Sequence, residues 1–366
     1  MEVKTIADLT KPCAGCGLCA TICPTSAICL ETDDEGFLQP VLDEQICIRC
    51  GLCFEKCILQ NEEVRQAVRK TYAAFSIDEQ IRYQSTSGGI FTELARIVLE
   101  QFHGVVIGAA YQSDFSVKHE IIRSSKEISR LRQSKYIQSD VSGVYKEIDK
   151  IEDDVMILFV GTPCQIAAFH QYMKKRSNPA IYVDFICRGV NSPGVFQYYL
   201  RELEQENESK ITKVWFKNKD DGWNHFQTRI EFENGTIYKK DRYQDAFMRG
   251  FLKHNLYMRN SCHDCHFKGE ERIADITLAD FWGISFEDEA IDIENGVSAV
   301  MIHSDIGERF FSMMEENIYF EEKDIENVRR GNGCIDISVK NGKRCAEFYE
   351  RLKKESFSKI IWSMEE

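Results

Sequence analysis

Nine of the 15 cysteines fall within the first 57 residues, in a pattern that repeats. Cys13-Ala14-Gly15-Cys16-Gly17-Leu18-Cys19 returns 34 residues later as Cys47-Ile48-Arg49-Cys50-Gly51-Leu52-Cys53. Each run gains another cysteine four positions on, Cys23 and Cys57. A cubic 4Fe–4S group offers four iron corners, each taking one thiolate. Three closely spaced cysteines wrap three corners, and in two-cluster proteins the fourth cysteine of the run reaches the other cube. The spacing therefore assigns Cys13, Cys16, Cys19 and Cys57 to one 4Fe–4S cluster, and Cys47, Cys50, Cys53 and Cys23 to a second. Zinc is the competing ligand, since Cys-x2-Cys also suits it. Zinc would use two cysteine pairs per site, whereas each run here has three cysteines at two-residue gaps. Cys23 precedes Pro24 while Cys57 precedes Ile58, a difference that removes no ligand. Cys29 lies outside the pattern and is expected to be a buried small side chain.

Two cubes close together form a relay for single electrons. A relay alone does not need the remaining 300 or so residues, so a terminal redox centre is expected in the larger part. Four further cysteines stand in suggestive places there. Cys164 lies in Gly161-Thr162-Pro163-Cys164-Gln165, Cys187 closes an apolar run, and Cys262 and Cys265 form Cys-His-Asp-Cys. Brought together, they make a third set of four thiolates. The alternative is two structural thiols plus a zinc half-site using His263 or His266. Cys334 and Cys345 have no assignment.

Ser85-Thr86-Ser87-Gly88-Gly89 precedes an apolar helical pattern. Hydroxyls and glycines at a helix start can leave N–H groups for phosphate oxygens, or serve as an ordinary N-cap. A second polar turn, Ser134-Lys135-Tyr136-Ile137-Gln138-Ser139, follows Arg130 and Arg132. That basic group could hold a pyrophosphate or form a solvated helix face. No G-x-G-x-x-G and no Walker loop occurs, so Rossmann and ATP sites lack support. No nucleophile elbow surrounds Ser192 or Ser285. His119, His225 and His254 are isolated and are read as surface or satisfied core histidines.

The chain has 366 residues and a formal charge of −13. Length implies two or three domains, and the acid excess disfavours nucleic acid and anionic membrane as partners. No run is long and apolar enough to span a bilayer. The start has neither the basic nor the apolar part of a secretory signal. Clustered cysteines then suit a reducing, cytoplasmic setting with metal or redox use.

Residues 1–66 hold five Lys or Arg against eleven Asp or Glu, with a turn at Asp33 to Phe37 between two short strands. The expected unit is a small α+β ferredoxin-like domain, followed by a linker over Gln60 to Lys70. From residue 70 to 366, strands and helices alternate. Strands are expected at Thr71–Ser76, Gly104–Tyr111, Val155–Val160, Ala180–Ile186, Ile273–Leu278 and Val297–His303. Helices are expected at Gly89–Phe102, Ile166–Lys175, Gly194–Gln205, Ile306–Asn317 and Gly342–Glu355. Val214–Phe216 and Phe226–Phe232 read as a hairpin insertion, with Asn234-Gly235 as a turn. This alternation defines an α/β layered domain with a partly parallel sheet.

The ordered set of motifs resembles the family of coenzyme F420 hydrogenase and dehydrogenase beta subunits. It comprises Ser85 to Gly89, Ser134 to Ser139, Gly161 to Gln165 and Asp184-Phe185-Ile186-Cys187. It continues through Gly250-Phe251-Leu252, Asn255-Leu256-Tyr257, Ser261-Cys262-x-x-Cys265 and Ala274 to Gly283. The resemblance covers nearly all the chain after residue 70. It implies a non-covalent FAD, making the larger domain a flavin-binding one. Ser85, Thr86, Ser87, Gly88 and Gly89 would line the flavin, with Lys135, Tyr136, Gln138 and Ser139 as a second wall and Gly161 and Thr162 nearby. It also favours a third 4Fe–4S cluster on Cys164, Cys187, Cys262 and Cys265. Cys187-Arg188-Gly189 departs from the Cys-His-Gly common there, and a guanidinium cannot replace a histidine in proton transfer.

The expected function is an iron–sulfur flavoprotein oxidoreductase. It would exchange single electrons with a ferredoxin-type or other redox partner and hydride with F420 or another small organic molecule. Two other readings stand beside it. One is a non-catalytic electron-transfer subunit of a larger hydrogenase or dehydrogenase. The other is a reductase in surface polysaccharide synthesis, because this chain also resembles family relatives encoded beside such genes. The sequence identifies no proton donor.

Overall fold

The computed structural model describes residues 3–61 and 63–364. In chain order its strands are β1 (Ile28–Thr32), β2 (Leu38–Leu42), β3 (Lys70–Ser76), β4 (Val105–Tyr111) and β5 (Val117–Ile122). They continue as β6 (Ile157–Val160), β7 (Ala180–Phe185), β8 (Ile211–Asn218) and β9 (Gln227–Phe232). The last are β10 (Ile237–Asp241), β11 (Ile276–Asp280), β12 (Ser298–Ile302) and β13 (Ile318–Glu322).

The main sheet has eight strands in the order β13-β3-β12-β11-β7-β6-β4-β5. β4, β6, β7 and β11 pair in parallel. β12 runs against both β11 and β3, which aligns β3 with the parallel set. The edge strands β5 and β13 are antiparallel to their neighbours. Alternating residues of each strand face opposite layers. Val106, Leu158, Ile181 and Val300 pack with the helix Ile90–Arg96 on one face. Val105, Ile107, Ile157 and Phe159 pack on the other with the helices Ser142–Ile148 and Pro163–Met173. A second, three-stranded antiparallel sheet, β10-β9-β8, stands apart from the main one.

In the N-terminal part, β1 and β2 form an antiparallel hairpin between two short helices, Leu18–Ile22 and Leu52–Glu55. Leu18, Ile58 and Leu59 are buried in the same core as Val105 and Phe159. Burying such side chains stabilises by about 1.5–3 kcal/mol each, so this unit is docked on the large one. Arg65 and Gln66, in the expected linker, are tied to the large unit. Gln66 and Arg272 exchange backbone hydrogen bonds at 2.7 and 2.9 Å, and Arg65 Nη2 donates to the His266 carbonyl at 2.7 Å.

Every strand and helix expected above has a counterpart within a few residues. The hairpin insertion gains a third strand, β10, which Asn234-Gly235 joins to β9. Three strands escape the sequence reading: β5, β10 and β13. Each sits at a sheet edge and carries charged residues, so the apolar pattern is weak. The helices Glu79–Gln84, Ser142–Ile148, Ile325–Gly331 and Phe357–Ser363 escape it as well. Cys29 corrects an expectation: it is exposed, because it points outward from β1 opposite the equally exposed Val41.

Candidate functional site

In open α/β sheets, ligands gather beyond the carboxyl ends of the parallel strands. That edge here holds Ser76 and Tyr111, Gly161 to Cys164 after β6, Cys187 after β7 and Asp280 to Gly283 after β11.

The first thiol group is Cys13, Cys16, Cys19 and Cys57. Burial pushes the Cys16 thiol pKa well up, and Cys13, Cys19 and Cys57 add to it. Cys19 is pushed up to about 12 by burial and then by Cys13 and Cys57. Three buried side chains of the large unit hold the carbonyls of this loop. Arg259 Nε donates to Cys13 O at 2.8 Å, Gln138 Nε2 to Gly15 O at 3.2 Å and the Tyr145 hydroxyl to Cys16 O at 3.1 Å. Gly15 has φ +71°, and a Cβ there would lie 2.2 Å from Gln138 Nε2. Only glycine permits both the backbone and the approach.

Cys23, Cys47, Cys50 and Cys53 line one small cavity together with Pro24, Ile28 and Leu42. Cys50 is exposed and Cys53 buried. Cys53 also acts on the thiols of Cys19 and Cys57, so the two groups adjoin there.

Cys164, Cys187, Cys262 and Cys265 line a cavity of about 150 Å³. Their sequence positions span 101 residues, and the fold alone brings them together. Burial raises the pKa of Cys164 to about 12, with Cys265 and Cys262 contributing on either side of the Thr162 hydroxyl's opposing hydrogen bond. Lys11, Pro12 and Ala14 border the same cavity, placing it beside the first loop, and Cys334 supplies a fifth thiol. Lys268 Nζ closes one wall by donating to the carbonyls of Cys187 and Cys334, each at 2.6 Å. His263 shares a hydrogen bond with the Val339 carbonyl through Nδ1 at 2.8 Å. Among the described residues, no three His, Cys, Asp or Glu close around a single ion.

The two polar motifs meet. Thr86 and Ser134 share a hydroxyl hydrogen bond at 3.1 Å, and Ser134 N–H donates to Thr86 Oγ1 at 2.8 Å. Ser85 Oγ donates to Ile81 O and Ser87 Oγ to Val297 O beside β12, so both hydroxyls are taken by protein carbonyls. Gly88 lies against the β3 backbone, where a Cβ would be 2.4 Å from Ala74 O. Gly89, with φ +93°, begins the helix without a side-chain cap, leaving first-turn N–H groups uncapped. Arg130 pairs with Glu120 and Glu127, and Arg132 bonds Thr92 and Gln84. Those guanidiniums are therefore occupied by protein groups.

The second motif divides. Lys135 Nζ donates to the carbonyls of Leu131, Arg132 and Gln133. Tyr136 packs on Phe216 and Phe251 and lies beside Lys217, whose pKa it helps to raise. Gln138 turns toward Gly15 and Arg259 instead, and Ser139 Oγ bonds buried His119 at 2.8 Å. Thr162 Oγ1 lies 3.1 Å from Cys164 Sγ, and Gly161 packs on Gln165.

Sequence reasoning missed Lys217 and Arg259 and left Asp280 without a role. Lys217 is nearly fully buried and ion-paired to Asp280. Burial alone would lower its pKa, but Asp280 and then Tyr136 hold it above the ordinary value. Trp223 Nε1 donates to the other oxygen of Asp280 at 3.1 Å, and Trp223 stacks on Trp282 at 4.5 Å. A lysine inside β8 has no local signal. Asp280 could have been suspected from its place at a strand end.

These features define a cysteine-rich, mixed α/β protein with one thiol group beyond the carboxyl ends of its parallel strands and two more in its N-terminal part. The chain belongs to the family of coenzyme F420 hydrogenase/dehydrogenase beta subunits. Residues 71–146 match the family's N-terminal model and residues 155–328 its C-terminal model. It is 22% identical to one of the F(420)H(2) dehydrogenase subunits of Methanosarcina mazei, over 91% of this chain and 95% of the relative. It is 20% identical to the beta subunit of coenzyme F420 hydrogenase of Methanococcus voltae, over 71% and 85%. A chain in the structure of the F420-reducing [NiFe] hydrogenase complex from Methanosarcina barkeri shares the fold. Its TM-score is 0.50 at 19% identity, covering 81% of this chain and 92% of that one. Among the described residues, no helix is long and apolar enough to cross a membrane.

Proposed function

We propose that the protein is an iron–sulfur flavoprotein oxidoreductase, with a ferredoxin-like N-terminal domain (1–66) docked on a flavin-binding domain (70–366). The observation that supports this most is the gathering of twelve cysteines into three groups of four. The donors are all thiols, the set that iron–sulfur cubes take.

Cys13, Cys16, Cys19 and Cys57 would hold one 4Fe–4S cluster, Cys23, Cys47, Cys50 and Cys53 a second, and Cys164, Cys187, Cys262 and Cys265 a third. The joined Ser85–Gly89 and Ser134–Tyr136 segments, with uncapped N–H groups after Gly89, suit the phosphates of FAD. A bound flavin supplies exchange between hydride and single electrons. The chain's own part is to exclude water, to present Lys217 and Tyr136 as donors beside Asp280, and to hold the thiol loops rigidly. Exposed Cys50 suits the second group to meet a redox partner protein. The organic substrate would be F420, as the relatives' names suggest, or another small molecule.

A second reading, an electron-transfer subunit of a larger complex, is favoured by relatives named as subunits and by the fold's occurrence in a hydrogenase complex. Anaerobic purification with iron, sulfide and flavin assays tests the first reading. About eight to twelve iron atoms and one FAD per chain are expected. Zinc throughout and a colourless solution would sink it. F420 reduction by the isolated chain, or only after a partner copurifies, separates the two readings.

A further inference from the structure

Arg259 is 1% exposed, yet its guanidinium has no carboxylate partner among the described residues. Nε donates to Cys13 O and Nη1 to Gln138 Oε1, both at 2.8 Å. Nη2 donates to Leu38 O and Gln39 Oε1, both at 3.0 Å. All four acceptors are neutral, and the Phe37 ring lies 5.3 Å from the guanidinium. A guanidinium stays charged in a protein, and an uncompensated buried charge is strongly unfavourable. A buried cation is therefore expected to face an anion.

Two thiol groups flank it. On one side is the first loop, whose Gly15 would clash with the guanidinium if given a Cβ, at 2.7 Å. On the other side, Arg259 N–H donates to Val190 O, and Cys262 N–H donates to Arg259 O, both at 2.9 Å. Val190 and Cys262 line the third thiol group's cavity. The Cys13 carbonyl that Nε meets lies between Pro12 and Ala14, which border that same cavity. The second thiol group lines a separate cavity, and no hydrogen bond of Arg259 reaches a residue lining it.

We propose that Arg259 is the shared counter-cation of the first and third thiolate groups, raising the reduction potentials of both and leaving the second unaffected. This rests on the iron–sulfur reading above. Four thiolates give each cluster an anionic surround, and one-electron reduction adds a further negative charge. A fixed cation in a water-poor setting favours that reduced form. With Arg259 in place, an electron entering at the second group would run toward the first and third. Arg259 is a positioning residue in this role: it acts on the clusters through space and through the Cys13 loop.

The test is a dithionite titration of anaerobic, reconstituted full-length protein, followed by low-temperature EPR. Arg259→Gln is expected to lower the midpoint potentials of the first and third clusters and leave the second at its wild-type value. Arg259→Lys keeps the charge and is expected to keep all three. Unchanged potentials in R259Q, or an equal shift of all three, would overturn the proposal. If R259Q fails to assemble, R259K decides alone. Retained first and third potentials support the charge, and a fall confined to those two shows that hydrogen-bond geometry governs them and overturns it. Absence of iron–sulfur signals from wild-type protein would be the failure of the iron–sulfur reading itself, and is seen before any variant is made.

Discussion

Gln138 and Gly15 stand 123 residues apart in the chain, yet the Gln138 amide donates to the Gly15 carbonyl at 3.2 Å. The same side chain accepts from Arg259. Two residues earlier, Tyr136 lies beside Lys217 and helps to raise its pKa. One short extended segment thus touches the first thiol loop at one end and the Lys217–Asp280 pair at the other. Gly15→Ala would force a Cβ into Gln138 and Arg259 at a positive φ. The expected cost is about 2–4 kcal/mol, with looser iron in the first group. Urea unfolding and iron retention on gel filtration read both effects, and unchanged values in both would remove the contact's importance.

Asp280→Asn leaves Lys217 as a buried cation without its anion. Breaking such a pair costs about 3–5 kcal/mol. Lys217→Met combined with Asp280→Asn removes both charges and should recover much of that loss, giving a clear coupling energy. A double variant no more stable than D280N would show that the pair's charge is not what matters.

His119 is buried between Ser139 and the Val160 carbonyl, and burial lowers its pKa to about 4. An unfolded histidine titrates near about 6.5. Between those values the unfolded chain binds the extra proton, so this group's contribution is present at neutral pH and lost as pH falls from about 6.5 to 4. The stability gap between wild type and His119→Asn should therefore narrow over that window. Chemical unfolding at several pH values measures it, and a constant gap would contradict a neutral buried imidazole.

The crossed thiol sets make a spectroscopic prediction. Cys57→Ala should alter the same EPR signal as Cys16→Ala, and Cys23→Ala the same signal as Cys50→Ala. Each loses up to about four iron atoms per chain. If C57A instead matches C50A, each run holds its own cluster.

The sequence by itself laid out which thiols of the two N-terminal runs could share a site, because their spacing is a local property of a short loop. It also indicated the main alternation of strands and helices, since apolar period is set residue by residue. Edge strands such as β13, rich in charge, escaped for the same reason.

Only the tertiary structure decided the rest. Cys164, Cys187 and the Cys262–Cys265 pair come from separate parts of the chain, and no spacing rule links the three. Arg259 reaches Cys13 across 246 positions, and Lys217 meets Asp280 from a different sheet. Nor could the pattern tell that Gln138 and Ser139 turn toward Gly15 and His119. The direction of a side chain on an irregular segment depends on what packs against it, and those neighbours are fixed only when distant parts of the chain meet.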